Sequence, residues 1–107
     1  MTDLALAAAA MATITLSEPI VRGETSITEI AIRKPKSGEL RGLSIQDLMT
    51  ARVSAVLDVL PRISMPPITQ QEADNLEAQD LAACAGAIMD FFLTAADRKA
   101  IEKVLTA

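Results

Sequence analysis

The chain has 107 residues, a formal net charge of -4 and a sequence pI of 4.7. By length it is one domain, and its acidity argues against a nucleic-acid partner, which needs a basic footprint. It is 50% apolar but only 2% aromatic, with two Phe and neither Trp nor Tyr, so its core must be aliphatic and no platform for base stacking exists.

In chain order, residues 1–12 (MTDLALAAAAMA) are an Ala-rich extension of high helix propensity, too short to be stable alone, so a frayed or conditional helix is expected. The extension carries Asp3 and no Lys or Arg, unlike a secretory signal. The longest apolar runs, residues 4–12 and 81–89, fall well below the roughly 18 to 20 residues that span a bilayer. A single cysteine, Cys84, excludes an internal disulfide and fits a reducing compartment. These features point to a soluble cytoplasmic protein with no membrane partner. The mean hydropathy of +0.31 is high for a soluble monomer and favours a homo-oligomer or a covering partner.

Residues 13–33 read as a β-hairpin. Ile14 and Leu16 alternate with Thr13, Thr15 and Ser17, and Ile30 and Ile32 alternate with Glu29, Ala31 and Arg33. Two registers compete. A three-residue loop with Val21 facing Thr25 sets Ile14 opposite Ile32 and Leu16 opposite Ile30, and is preferred because the apolar residues then share a face. A two-residue Gly23-Glu24 turn sets Glu18 against Glu29 and splits those pairs. Pro19 cannot donate to a ladder, so the first strand is expected at an edge or broken there.

A basic loop follows, with Arg33, Lys34, Lys36 and Arg41 around Pro35 and Gly38. Ser44, with Asp47 three residues on, caps a helix whose stripe Ile45, Leu48, Met49, Arg52, Val53, Val56, Leu57 and Leu60 is expected to face the core until Pro61 ends it. Residues 62–68 are then extended, either a connector or a docking strip. Thr69 and Glu72 form a capping box for a helix to about Glu77, and another helix spans residues 78–92 with Leu81, Cys84, Ala85, Ile88, Met89 and Phe92 on one face. Ala82, Ala83, Gly86 and Ala87 leave the neighbouring face thin enough for another backbone to approach. Thr94 and Asp97 cap a last amphipathic helix, residues 95–105, with Ala100, Ile101, Val104 and Leu105 as its apolar side. The fold class is α+β: an N-terminal β-hairpin followed by three to four α-helices.

Little chemistry is visible. The chain has no His, and Cys84 has only apolar and small neighbours, so a buried structural thiol is expected. Glu72, Asp74, Glu77 and Asp80 have helical spacing but lack the Gly-centred loop of a calcium hand. Ser44 and Ser64 have no base to activate them. No catalytic residue, metal or cofactor is assigned, and an enzyme is not expected. Charge is segregated: residues 63–97 contain six acidic residues and no basic one. The basic loop could therefore meet the acidic segment Glu72, Asp74, Glu77 and Asp80, within or between chains.

The runs Arg22-Gly23-Glu24-Thr25, Arg33-Lys34-Pro35 and Leu40-Arg41-Gly42-Leu43 come in an order and spacing that resemble the small tail assembly chaperones of contractile-tailed temperate phages. Leu60-Pro61-Arg62-Ile63, Pro67-Ile68-Thr69, Asp80-Leu81 and Phe91-Phe92-Leu93 continue the likeness, which covers residues 13–93 and leaves 1–12 and 94–107 as extensions. The resemblance implies a non-enzymatic chaperone that holds the long, aggregation-prone tape measure protein and helps recruit tail tube protein. It also implies a product often made in two lengths by frameshifting. The alternatives are a structural subunit of the tail particle and, less favoured, a small DNA-binding regulator using Arg98, Lys99 and Lys103. Apolarity at expected exposed places, and not the resemblance, nominates Ile63, Met65, Ile68, Phe91, Phe92 and Leu93 as partner contacts.

Overall fold

The computed structural model of the protein describes residues 11–106. The conditional helix expected in the Ala-rich extension lies outside the described residues, except that Met11 and Ala12 belong to a strand. That strand, β1 (Met11–Arg22), pairs antiparallel with β2 (Thr25–Arg33), and β2 pairs with a short β3 (Ser64–Met65), giving the order β1-β2-β3. β1 is thus an edge, as Pro19 suggested.

The register differs from the preferred one. Arg22 faces Thr25 across a Gly23-Glu24 turn, with Gly23 at φ +59°. Ile20 still faces Ile27, but further along Thr15 faces Glu29 and Ile14 faces Ile30. Four β1 residues, Leu16, Ser17, Glu18 and Pro19, therefore stand against Thr28 alone. This bulge reconciles the short turn with apolar pairing, because it takes Glu18 away from Glu29 and returns Ile14 to Ile30. A strictly regular ladder could not do both, which is why the sequence pattern favoured the longer loop.

The helices cover one face of the sheet. A 3₁₀ turn (Ser37–Leu40) leads to α1 (Ile45–Met49), α2 (Val53–Ile63), α3 (Gln70–Asp74), α4 (Ala78–Phe91) and α5 (Ala95–Thr106). Ile30 and Ile32 from β2 meet Val56, Val59, Leu60 and Ile63 of α2 and Cys84, Ile88 and Phe91 of α4 in one aliphatic core. Three caps form as the sequence implied: the Asp47 N–H donates to Ser44 Oγ, and the Thr69/Glu72 and Thr94/Asp97 boxes close reciprocally.

Three helix boundaries depart from expectation, the simplest being that of α3, which ends at Asp74 and not at about Glu77. The stripe from Ile45 to Leu60 is not one helix, because Ala51 adopts φ +58° and separates α1 from α2. The Arg52 N–H then donates to Asp47 O (2.8 Å) as α2 starts in a new direction. At the other end Pro61 does not stop α2, which runs on to Ile63. Proline removes the N–H that Leu57 O would accept in a regular helix, and the side-chain amide of Gln70 donates to that carbonyl instead (3.1 Å). The run after α2 is partly strand, with Met65 facing Ala31 and Ser64 facing Ile32.

Candidate protein-docking surface

Of the residues nominated as partner contacts, Ile63, Ile68 and Phe91 prove to be core, at 0%, 4% and 7% exposure. Ile63 closes the last turn of α2. Ile68 is drawn inward where its N–H donates to the buried Ser64 Oγ (3.2 Å). Phe91 is one of only two aromatic side chains in the sequence, and packing it inside buries more apolar area than any aliphatic residue could. Met65 is exposed, and Phe92 and Leu93 are half-buried beyond the end of α4.

The charged candidates do not converge within the chain. Arg33 forks onto both oxygens of Glu39, and its guanidinium also donates to Arg62 O (3.0 Å). Arg62 in turn donates to Glu39 O (2.8 Å) and Arg41 O (2.9 Å), which fixes the loop between β2 and α1. Glu72 pairs with Arg22 beside the hairpin turn (2.6 and 2.8 Å), and Arg22 also donates to Pro67 O (2.7 Å). The Arg33 fork, helped by the Lys36 N–H, holds the Glu39 carboxyl down to about 2, and the Arg22 fork with the Thr69 N–H does the same for Glu72, also about 2. Asp80 turns inward: the Ser17 N–H donates to both its oxygens (3.1 and 3.0 Å) and the Ser17 hydroxyl to one (2.9 Å). That carboxylate satisfies the donor freed by the β1 bulge. Lys34, Lys36, Asp74 and Glu77 are exposed and enter no such fork.

Cys84 lies wholly buried, and burial, with Asp80 nearby, pushes its thiol up to about 11, which leaves it a poor nucleophile at neutral pH. Among the described residues no group of three or more His, Cys, Asp or Glu is arranged to hold a metal ion, and no helix is long and apolar enough to cross a membrane.

The break at Ala51 creates the surface with the clearest binding shape. It turns Met49 and Val53 out to 51% and 55% exposure instead of leaving them on a core stripe. Between them and α4 runs a groove of about 500 Å³, lined by Ala51, Val53 and Val56 on one wall and Ala82, Gly86 and Met89 on the other. The small residues on α4 form its floor, and a Cβ built at Gly86 meets nothing within 4 Å. Gly86 and Met89 also line an adjoining hollow of about 360 Å³ with Met49, Phe92 and Leu93. The two share Gly86 and Met89 and make one apolar face, of the kind that takes the ridge of a helix. The thin Ala/Gly face of α4 was legible in the sequence, whereas the opposite wall was not, because it depends on the Ala51 break.

Residues 13–93 contain the sheet except for its first two residues, the groove and α1 to α4. The chain matches the family described as phage tail assembly chaperone proteins, E, or 41 or 14, over residues 13–93. It is 42% identical over 78 residues to tail assembly protein E of Escherichia phage P2, covering 73% of this chain and 86% of that protein. It is 41% identical over 80 residues to tail assembly protein E' of the same phage, covering 75% of this chain and 56% of that protein, so it spans little more than half of that longer relative. No solved structure matches it. With most of its length matched, the chain belongs to the phage tail assembly chaperone family.

Proposed function

We propose that this protein acts in phage tail assembly as a non-enzymatic holding chaperone in the host cytoplasm, binding the tape measure protein and helping bring tail tube protein to it. The observation that carries this reading is the apolar groove between α2 and α4, framed by exposed Met49, Val53 and Met89. Such a groove takes the apolar ridge of an amphipathic helix, and methionine side chains adapt to ridges of differing sequence. A long protein that must stay unassembled presents many such ridges, and covering them needs only reversible burial of apolar surface.

Co-expression of this chain with the tape measure protein of the same phage genome tests the reading. The long protein should become soluble and co-purify with the wild-type chain, and should lose both properties with Met89→Asp, which places a charge on the groove wall at a position already 41% exposed. A tape measure protein that stays insoluble beside wild type, or is rescued equally by Met89→Asp, would remove the groove from the function.

A further inference from the structure

The apolar face between α2 and α4 continues beyond Met89. Ile45, Met49 and Val53 follow one another at four-residue steps, and each is more than half exposed. They line three successive hollows: Val53 the groove of about 500 Å³, Met49 the hollow of about 360 Å³, and Ile45 a third of about 320 Å³. The first two hollows share Gly86 and Met89, and the last two share Phe92 and Leu93. One track therefore runs the length of α4 and reaches the basic loop that follows β2. Taken along the chain from Ala78 to Leu93, it is about 22 Å long at roughly 1.5 Å per residue, or about four turns of helix.

The track is apolar along its walls and carries an unbalanced charge at one end. Lys34 lines the third hollow beside Leu40 and Phe92. Asp90 and Asp97 are the other charged residues that line the track, and both are occupied: Asp90 pairs with Arg98 (3.2 Å), and the Asp97 carboxylate accepts from the Thr94 N–H (3.0 Å). Arg52, next to Val53, leans on Asp47 (3.9 Å), and in the basic loop Arg33 is taken up by Glu39. Lys34 is exposed and, among the described residues, its ammonium enters no ion pair and no hydrogen bond. An ammonium group at the end of an apolar track attracts a carboxylate, repels a cation and is indifferent to a neutral residue.

We infer that the track selects amphipathic helical segments of about four turns whose apolar ridge ends in one or two carboxylates, seated with the acidic end over Lys34. The inference rests on the reading that the groove takes the ridge of a client helix, and adds to it the charge of that helix and which of its ends lies where. Burial of the ridge supplies most of the affinity. Lys34 supplies the discrimination, because a rim charge in water adds little to affinity but disfavours a like charge set against it. A client with many apolar ridges is then held at those that end in acid, each with its acidic end toward the loop between β2 and α1.

Fluorescence anisotropy of labelled amphipathic peptides of about 15 residues, titrated with the full chain, provides the test. Three peptides share one apolar ridge and differ only in ending it with Glu-Glu, Gln-Gln or Lys-Lys. The wild type should bind them in that order from tightest to weakest, over a span of about fivefold at low salt that narrows as salt is added. Lys34→Glu, at an exposed position, should reverse the order while melting as the wild type does. Equal binding of the three peptides by the wild type, or an order that Lys34→Glu leaves unchanged, would overturn the charge selection and leave the groove standing. Met89→Asp should weaken all three together. If the wild type bound none of them, or if all three were indifferent to Met89→Asp, the groove itself would fall and the inference with it.

Discussion

The arginines carry much of the molecule's long-range order. Arg22, Arg33 and Arg62 each tie segments far apart in sequence, and each lies in a run that marks the family: Arg22 reaches Pro67 O and Glu72, while Arg33 and Arg62 meet around Glu39. The runs that carry the family resemblance thus include clamps of the scaffold. The clamps titrate. Glu39 and Glu72 have folded values of about 2 against an ordinary 4.5, so the unfolded chain takes up their protons first as pH falls. Their stabilising effect is complete above about 4.5 and is lost as pH drops toward about 2. Urea midpoints should fall across that window, and Arg22→Ala should flatten the fall by returning Glu72 toward its ordinary value; an unchanged slope would show that the Arg22 fork does not hold it down. Asp80 acts through burial and bonding. Asp80→Ala strands the Ser17 N–H at the bulge and should cost roughly 2 kcal/mol in equilibrium unfolding, as loss of a charged hydrogen-bond acceptor does. The sequence showed Asp80 as one of four helix-spaced acids, but its inward turn depends on a partner 63 residues away and had no local signature.

At the scale of elements, caps were legible and breaks were not. Ser44/Asp47, Thr69/Glu72 and Thr94/Asp97 are local chemistry at fixed spacing, and all three form. The Ala51 break has no Gly or Pro to announce it, because neighbouring packing overrides the strong helix preference of alanine. Ala51→Gly separates the two descriptions. In a continuous helix it would cost about 1 kcal/mol, whereas at φ +58° relief of the Cβ strain should offset that loss or leave a gain of up to about 1 kcal/mol in denaturant unfolding. Phe91 and Met89 form a similar contrast on α4, two residues apart and on opposite sides of the burial boundary. Phe91→Ala should cost about 3 to 5 kcal/mol, and Met89→Ala should stay within about 0.5 kcal/mol by thermal melting. Comparable melting of the two would contradict the placement of Phe91 in the core.

For the whole molecule, α+β character with an N-terminal hairpin was readable from period and turn signals, whereas the candidate surface required three-dimensional assembly. Phe92 and Leu93, nominated for their apolarity, do border that surface, but Met49 and Val53 could be recognised only after α1 and α2 parted. The β1 bulge has a final consequence for association. The sheet ends on one side in a strand interrupted at residues 16–19, where Pro19 has no N–H to offer, and on the other in a strand of two residues. Neither border offers a long uninterrupted template for another extended chain, so backbone-to-backbone zippering, the usual route from an exposed sheet to a fibre, is limited on both sides. Encounters with other chains are thereby left to side-chain contacts on the helical face, which are reversible.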